Sequence, residues 1–371
     1  MIKNLYRLLL TVLFFPLSLL KRKNIMLFYT DFDYADSTQF VFEETVKQGH
    51  RAYYLSKTGN LDKIPNEFKQ YVLEVTSIKA AFYLSRGKVL FLTHGFGQLP
   101  LLFFGLKVIQ FWHGVPFKKI LLDSEFDTKK FHSNFLNHIY IKLYKKRINL
   151  YDYIVSTGER TSQIFSNSFG VSAGRVLNFG SPRHQKMAEF KIAPRAIKKV
   201  IYLPTWRDDR TVLGNTCEKI LSADFQAQLC EENIQLDISF HPFDQIFFSN
   251  YFNQNPNVLK STFNIYEQFN EYDAFIVDYS SVAFDLSTIT DNVLFLLPDI
   301  KQYQSERDLY VDISEVAGEL CATNQVELLK LLREIKNNTI IYKNIKKLKF
   351  VKKNDNPIQK IIHFVETKIF E

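Results

Sequence analysis

Short apolar runs that alternate with helix-like stretches constrain the fold of this chain more than any other property of its sequence. One of the intervening stretches, STQFVFEETVKQG (37–49), is amphipathic, with Ser37 or Thr38 as a cap and Gly49 as a stop. Short buried strands separated by helices predict a parallel sheet that is flanked by helices. In the first half the runs are NIMLFYT (24–30), RAYYLS (51–56), KVLFLTHG (88–95), KVIQFWHG (107–114) and YDYIVSTG (151–158).

The same alternation starts again in the second half of the chain. Residues 180–197 carry two prolines and many charges, which marks a weak point between the halves. A chain of 371 residues is long enough for two cores. We therefore predict an α/β fold of two doubly wound, Rossmann-like domains facing a central cleft, with residues 24–180 and 181–371 as the domains. The last helix is expected to pack either in the second domain or back on the first. The later runs are KKVIYLPTW (198–206), LDISFHP (236–242), YDAFIVDYSS (272–281) and DNVLFLLPD (291–299).

Residues 1–23 form a separate apolar segment. The run from Leu8 to Leu20 is shorter than the roughly 20 residues that a spanning helix needs, and Pro16 interrupts it. Basic residues 21–23 follow in place of a small-residue cleavage site, so a signal peptide is disfavoured. We predict a membrane-associating helix that lies in the bilayer interface. A hydrophobic helix docked on the body of the protein remains the alternative.

The net charge of +8 fits an anionic partner, either nucleic acid, a phosphorylated substrate or acidic lipid headgroups. The three cysteines, Cys217, Cys230 and Cys321, form neither a zinc-type pair nor a disulfide framework. The sequence has no Walker loop, no Rossmann glycine fingerprint and no nucleophile elbow. The absence of these motifs argues against the commonest classes of nucleotide-binding protein and hydrolase. It does not identify which anionic partner the protein binds.

Polar residues cluster where the predicted strands end, which is where ligands bind in parallel sheets. His113 follows one strand, and its neutral imidazole can accept a proton near pH 7. Gly114 lets a substrate approach the backbone, while Lys118 and Lys119 can neutralise phosphate. The ordinary alternative is a carbonyl-bonded histidine with two solvated lysines. His94 has the same local form without the proline and the lysines, so the sequence favours a structural role for it.

The second half has its own strand-end residues. His241 precedes Pro242 at a strand end, and Arg207 can form a fork of hydrogen bonds to phosphate. Ser280 and Ser281 stand at a predicted helix start, where they either cap the helix or bind phosphate. Capping, a charged surface turn and a carbonyl-bonded histidine are the corresponding structural alternatives. The remaining candidates in this half are Thr205, Asp209, Asp278, Ser305 and Arg307.

Six segments occur in a fixed order and together resemble the CDP-glycerol glycerophosphotransferase family, the teichoic acid and capsule glycerol-phosphate transferases. The resemblance covers roughly residues 25 to 340, and ADSTQFVFEE (35–44) is similar to the family's usual first helix. The six segments are QFWHGVPFKKI, FGSPR, YLPTWRDD, FHPF, DYSSVAFDL and SERDLY.

The resemblance implies a GT-B architecture and a transferase that moves a polyol phosphate from a CDP-activated donor, releasing CMP. It implies that His113 is the base and that His241 lies near the donor phosphates. It also implies a lipid-linked glycan acceptor at the cytoplasmic face of the membrane, with the protein bound there peripherally. We expect no metal, no cofactor and no nucleic-acid partner, since CDP-glycerol would be a substrate. The donor and phosphate-binding set is Gly114, Lys118, Lys119, Arg183, Thr205, Arg207, Asp209, Asp278, Ser280, Ser281, Ser305 and Arg307.

The sequence departs from the family pattern at several positions. Phe179 and Ser181 change the context of the Pro-Arg pair, Asp308 replaces a common glycine, and VAGEL (316–320) replaces a Pro-Gly-Pro element. The alditol, the acceptor and the choice between primase and polymerase therefore stay open. A GT-B glycosyltransferase that uses a nucleotide sugar is the enzymatic alternative. A basic membrane-surface or nucleic-acid-binding protein is the non-enzymatic one, and it would show basic residues interleaved with exposed aromatics.

Overall fold

Two parallel β-sheets, one in each half of the chain, organise the fold. The computed structural model describes residues 2–62, 64–190, 196–206, 210–250, 255, 257–259, 264–306, 308–337, 348–352 and 355–371. The chain forms two compact units, each with one sheet. The first unit comprises Met1–His113, Leu121–Lys186 and Lys352–Glu371, and the second comprises Gly114–Ile120 and Met187–Val351.

Five strands of the first sheet coincide with the apolar runs that the sequence predicts, and two short strands, Val72–Glu74 and Val176–Leu177, were not predicted. Its strand order is β3-β2-β1-β4-β5-β6-β7, and all neighbouring strands are parallel. Strand order reverses beside β1, which places the carboxyl ends of β1 and β4 next to each other at a switch point. The strands are β1 (Lys23–Tyr29), β2 (Ala52–Ser56), β3 (Val72–Glu74), β4 (Gly87–Leu92), β5 (Lys107–Gln110), β6 (Tyr153–Val155) and β7 (Val176–Leu177).

Helices connect these strands and cover both faces of the sheet. Met26 and Phe28 of β1 and Phe91 of β4 pack with Val41 and Phe42 in one buried cluster. Both faces are covered, so the strands read as continuous apolar runs instead of alternating ones. The helices of this part of the chain are α1 (Ile2–Ser18), α2 (Asp36–Lys47), α3 (Ile78–Arg86), α4 (Glu125–Thr128), α5 (Asn134–Ile148), α6 (Glu159–Ser168) and α7 (Pro182–Ala188).

The second sheet repeats the plan with the strand order β10-β9-β8-β11-β12-β13, again all parallel. This order is that of a Rossmann sheet. The strands are β8 (Lys199–Leu203), β9 (Gln235–Ser239), β10 (Val258–Leu259), β11 (Ala274–Val277), β12 (Val293–Leu296) and β13 (Cys321–Ala322). Its described helices are α8 (Thr211–Ile220), α9 (Ala223–Glu231), α10 (Pro242–Gln245), α11 (Ile265–Gln268), α12 (Val282–Leu286), α13 (Ile300–Glu306), α14 (Ile313–Ala317) and α15 (Gln325–Lys336).

The last helix, α16 (Pro357–Val365), belongs to the first unit. Its Ile358, Ile361 and Ile362 are buried in the same cluster as Met26 and Phe28 of β1. The predicted α/β class with two parallel, doubly wound sheets is confirmed. The domain boundaries differ in detail, since residues 114–120 lie in the second unit and residues 181–186 lie in the first.

Helix α1 is docked along one side and exposed along the other. Leu10 and Phe14 are buried, at 2% and 8% exposure, whereas Val12 is 68% exposed. The Arg86 guanidinium at the end of α3 donates to the Leu17 carbonyl, which anchors the last turn. The helix continues through Pro16, which lies near its C-terminal end, so the predicted interruption does not occur. Among the described residues, none of the helices combines the length and the apolar character that crossing a membrane requires.

Candidate active site

The first unit places His113 just beyond β5, at the carboxyl edge of its sheet. The preceding residue, Trp112, has a φ of 61°, a left-handed conformation that is rare for a bulky residue. The buried Gln110 side chain holds this turn. Its Oε1 accepts the Trp112 N–H at 2.8 Å, and its Nε2 donates to the His94 carbonyl at 2.7 Å. One amide side chain therefore ties together the two strand ends that carry histidine.

The His113 imidazole lies among polar groups of its own unit. Its ring stacks on that of His94, with centroids 4.6 Å apart and planes inclined by 15°, and it donates a hydrogen bond to the Thr93 carbonyl. Desolvation by the surrounding protein is the largest cause that lowers the pKa of His113, to about 4, and repulsion from the nearby His94 is the second. The carboxylate of Asp36 acts in the opposite direction. The residue keeps an exposed edge. A neutral imidazole is therefore accessible at pH 7.

His94, for which the sequence favours a structural role, lies directly against His113. Its Nδ1 is 2.9 Å from the Thr93 hydroxyl and 3.3 Å from the Thr30 hydroxyl. Burial lowers the pKa of His94, whereas Asp36 and Asp31 act in the opposite direction. The sequence did carry a signal for this pairing, because the same His-Gly pair follows two consecutive strands of one parallel sheet.

Arg183 also lies in the first unit, beside the backbone of His113. Its side chain is buried, and Nη1 donates to Asp36 Oδ2 at 3.2 Å. Both terminal nitrogens lie 3.5 Å from the His113 carbonyl oxygen. The sequence assigns Arg183 to the donor-binding set, whereas these contacts fix the main chain that carries His113.

In the second unit a short segment, Gly114–Ile120, packs on the loops that follow β11 and α13; we call it the strap. A Cβ added to Gly114 would lie 3.0 Å from the Ser281 hydroxyl, so a side chain here would require that hydroxyl to move by a few tenths of an ångström. The Phe117 carbonyl accepts the Tyr310 N–H at 3.0 Å, and the ring of Phe117 contacts that of Phe284. The first and last of the six ordered motifs therefore meet in one place.

The two strap lysines make different contacts. Lys118 holds its ammonium 5.4 Å from the centre of the Tyr303 ring. Lys119 donates its N–H to the Asp308 carbonyl at 2.9 Å and pairs its ammonium with the Asp308 carboxylate at 3.6 Å. Asp308, which replaces a common glycine, therefore gives the strap an ionic contact. Both lysine side chains remain partly exposed, so they can also meet an anionic ligand.

Asp278, just after β11, is fully buried and binds the neighbouring loop. Its carboxylate accepts the Thr205 N–H at 2.9 Å, the Thr205 hydroxyl, and the Tyr279 N–H at 2.7 Å. The Tyr279 ring in turn stacks on Tyr303 at 3.5 Å. Within these contacts Asp278 fixes the ends of β8 and β11 relative to each other.

Ser280 and Ser281 stand between β11 and α12 and are both partly exposed. The Ser280 hydroxyl accepts the Val282 N–H at 3.3 Å. Ser281 occupies the cap position of α12 without a side-chain hydrogen bond to the helix. Helix α12 spans only Val282–Leu286, so a ligand here would be held by hydroxyl groups more than by the dipole of a long helix.

His241 follows β9 and is exposed at the carboxyl edge of the second sheet. Partial desolvation lowers the pKa of His241, while the nearby Asp244 acts in the opposite direction. The Asp244 carboxylate accepts a hydrogen bond from Arg210 at 2.8 Å, and the Arg210 guanidinium lies 3.7 Å from the centre of the Phe247 ring. Strands β8 and β9 are adjacent and parallel, so Thr205 and His241 both lie at this edge.

Three predicted residues, Arg207, Asp209 and Arg307, lie outside the described residues. Ser305 lies within α13, but its side chain is not among those described. The structure thus brings His113, His94 and Arg183 together in the first unit. In the second unit it brings the strap to Ser281 and Asp308, and Thr205 to Asp278.

Comparison with known proteins gives the same family that the ordered motifs indicate. The profile of the CDP-glycerol:poly(glycerophosphate) glycerophosphotransferase family matches residues 11–359. A teichoic acid glycerol-phosphate transferase of Staphylococcus aureus is 29% identical over 247 residues, an alignment that covers 61% of each chain. A teichoic acid poly(glycerol phosphate) polymerase of Bacillus subtilis is 28% identical over 270 residues, which cover 61% of this chain and 32% of the polymerase.

The alignments therefore span about three fifths of the first of these relatives and one third of the second. The structure of the wall teichoic acid polymerase TagF superposes with a TM-score of 0.75 at 21% identity, covering 99% of this chain and 94% of that one. This likeness establishes the fold as GT-B type. Because the family profile spans nearly the whole sequence, the chain belongs to the CDP-glycerol:poly(glycerophosphate) glycerophosphotransferase family.

Proposed function

We propose that this protein transfers glycerol phosphate, or a related polyol phosphate, from CDP-glycerol to a hydroxyl of a membrane-linked glycan, with release of CMP. Family membership and relatives that are named as teichoic acid transferase and polymerase support this activity. The observation that carries it is the His113 imidazole, which is neutral, oriented by the Thr93 carbonyl and exposed at the carboxyl edge of a parallel sheet.

The reaction is a direct displacement at the phosphorus that bears glycerol. The acceptor oxygen forms a bond to that phosphorus while the bond to the bridging oxygen breaks, and CMP leaves with the bridging oxygen. His113 takes the proton of the acceptor hydroxyl. The protein's main contributions to such a displacement are positioning of the reactants and stabilisation of charge, so a weak, well-placed base is sufficient. This is compatible with a pKa of about 4 for His113.

Groups of the second unit would stabilise the donor and the departing CMP. The partly exposed hydroxyls of Ser280 and Ser281, the exposed ring of His241 and the strap lysines are placed to hydrogen-bond or neutralise phosphate oxygens. Asp278 contributes indirectly by fixing the Thr205 loop. Arg207, Asp209, Ser305 and Arg307 complete the proposed donor set on the strength of the family motifs alone.

We further propose that the protein binds peripherally to the cytoplasmic face of the membrane, where a lipid-linked acceptor would be found. The outer side of α1 exposes Leu8, Leu9, Val12 and Leu13, each at 54% or more. The inner side of the same helix packs on the first unit, as the docked-helix alternative predicts, so membrane binding is proposed for the outer side alone.

A second apolar surface of the first unit supports membrane binding. Around α4 and α5, Phe126 is 71%, Phe135 is 72% and Leu143 is 60% exposed, and Lys145 and Lys146 lie in the last turn of α5. Exposed apolar side chains beside lysines suit anionic lipid headgroups. Interleaved aromatics and basic residues also suit single-stranded nucleic acid. The aliphatic residues on this surface favour lipid.

The activity is tested by incubating purified protein with CDP-glycerol, CDP-ribitol or a UDP-sugar and a synthetic lipid-linked disaccharide, with products identified by mass. We expect CMP and an acceptor heavier by one or more polyol phosphate units. The number of added units distinguishes a primase from a polymerase. Transfer from the sugar nucleotide alone would contradict the proposal and establish the glycosyltransferase alternative.

Membrane binding is tested by sedimentation with vesicles of phosphatidylglycerol or phosphatidylcholine. We expect binding to the anionic vesicles, and we expect the Leu9→Glu and Val12→Glu changes together to weaken it. Val326→Glu is a matched control, because Val326 is 71% exposed on α15 in the second unit. Native protein that stays in solution with both vesicles would contradict peripheral binding, as would binding only to added single-stranded RNA.

A further inference from the structure

We propose that His94 is a positioning residue, fixed by Thr93 and Thr30, which keeps the His113 imidazole uncharged and presents one chosen ring nitrogen to the substrate. The catalytic meaning of this arrangement rests on the proposed function. The physical coupling of the two rings does not, since it follows from geometry within the first unit.

The pairing of the rings is built into the sheet. Strands β4 and β5 run in parallel register, with Leu92 opposite Gln110, so both histidines project from neighbouring strand ends. Gln110 binds the main chain at both ends and holds them at a fixed offset. The two nearly parallel rings, with centroids 4.6 Å apart, are therefore stacked because of the strand register and the buried Gln110 amide.

Thr93 holds both rings with different atoms. Its hydroxyl donates to Thr30 at 2.6 Å, so its oxygen is left to accept the Nδ1–H of His94 at 2.9 Å. Its carbonyl accepts the N–H of His113. In this pattern of hydrogen bonds, Nε2 of His94 and the second ring nitrogen of His113 carry no hydrogen and can act as acceptors. A single residue at the end of β4 thereby sets the tautomer of the proposed base.

The surrounding charges direct an incoming proton to His94 before His113. Asp31 and Asp36, which follow β1 and begin α2, both favour a charged His94, and only Asp36 favours a charged His113. Arg183 of α7 opposes protonation of both rings. Protonating both stacked imidazoles is unfavourable, because like charges a few ångströms apart repel each other. His94 is therefore the first of the two rings to take a proton as the pH falls, and its charge then disfavours protonation of the stacked His113 ring.

The test is an NMR titration of the histidine ring protons in native protein and in His94→Phe, with His113→Gln to assign the signal. Phenylalanine keeps a flat ring in the stack but removes the charge and the N–H. We expect the pKa of His113 to rise above about 4, but to stay below the ordinary value of about 6.5, because desolvation by the surrounding protein remains. His94→Gln is a second variant that retains a side-chain donor for the threonines, and it should produce a rise as well.

The pH profile of kcat/KM gives an independent readout. A full return of the His113 pKa to about 6.5 would cost about tenfold between pH 7.5 and pH 5.5, and since desolvation remains, His94→Phe should lose activity by a smaller factor over that range. Native protein should lose little over that range. His363→Phe, which replaces an exposed histidine on α16, is the control and should leave both readouts unchanged.

An unchanged His113 titration in either folded variant would overturn the inference. If CDP-glycerol proves not to be a substrate, the NMR titration alone still decides whether His94 sets the protonation of His113. If CDP-glycerol is a substrate and the titration does not move, the proposed function stands and the role of His94 falls.

Discussion

The carboxyl edges of the two sheets use their buried polar residues for different purposes. At the first edge Gln110 and Arg183 hold the main chain around His113, and Thr93 orients its ring. At the second edge the buried Asp278 fixes a loop, and hydroxyls such as that of Ser281 stay partly exposed. The buried groups of the first edge orient one imidazole, whereas the second edge leaves the hydroxyls of Ser280 and Ser281 accessible.

The largest expected effect tests the first edge. Replacing His113 by Gln should lower kcat by about a hundredfold to ten-thousandfold, the usual loss for a general base. The thermal unfolding temperature should change little, because the residue keeps an exposed edge. Steady-state release of CMP measures the effect. His241→Gln is the counterpart at the second edge and should cost about tenfold to a hundredfold, as expected for a hydrogen bond to a charged phosphate. Equal kcat values in His113→Gln and native protein would remove the base assignment.

The next effect is on stability, at the second edge. Asp278→Ala leaves the Thr205 and Tyr279 N–H groups without their buried acceptor. We expect the free energy of unfolding of the second unit to fall by about 3 kcal/mol, since each buried donor that loses its partner costs about 1–3 kcal/mol. Urea unfolding followed by circular dichroism measures it. Asp299→Ala, which removes the acceptor of the Tyr279 hydroxyl, should cost about 1 kcal/mol. Similar decreases in the free energy of unfolding of the two variants would contradict the conclusion that Asp278 fixes the Thr205 loop.

Arg183→Lys separates main-chain positioning from donor binding. Lysine cannot form the fork to the His113 carbonyl, and we expect kcat to fall about tenfold, which corresponds to about 1.4 kcal/mol. The KM for CDP-glycerol should not change, because the described contacts of Arg183 are to Asp36 and His113. A raised KM with an unchanged kcat would instead place Arg183 in the donor set, as the family motif suggests.

The smallest effect concerns the strap. In Gly114→Ala the new Cβ would crowd the Ser281 hydroxyl at 3.0 Å. About 1 kcal/mol of crowding should raise the KM for CDP-glycerol about fivefold. The Ser281 Cβ itself would lie at an ordinary 3.6 Å, so adding Gly114→Ala to a Ser281→Ala protein should cost less. Strictly additive changes in the double variant would show that this contact is not the cause.

Local sequence patterns were sufficient for the central strands of both sheets and for the strand-end residues, but they missed the short strands β3, β7, β10 and β13. The apolar runs report that a segment is buried, and a polar residue directly after such a run marks the sheet edge, which is how His113 and His241 were found. The patterns do not report which distant segment a residue meets. The bridge between Lys118 and Leu309 joins positions that are far apart in sequence.

The same limit explains what the sequence missed around the candidate site. His94 shares the His-Gly pair with His113, but its contact with the His113 ring follows from the register of β4 and β5. For Asp278 the sequence allows a contact with a nucleotide or a bond to the turn, and the described structure shows its carboxylate binding the Thr205 loop. Whether a carboxylate contacts a ligand or the main chain depends on which loop packs beside it in the folded protein. Hydrophobic periodicity carries no information on that packing.

The position of α16 has a consequence for how a cell makes this protein. The core that starts with Met26 and Phe28 is completed by Ile358, Ile361 and Ile362. While the ribosome is still adding the second half, the first sheet leaves the exit tunnel with part of one face uncovered. Until α16 has been synthesised, the apolar surface of these N-terminal strands is uncovered and prone to aggregation. A chain truncated before Pro357 would therefore lack part of the core around Met26 and Phe28, in the unit that bears His113.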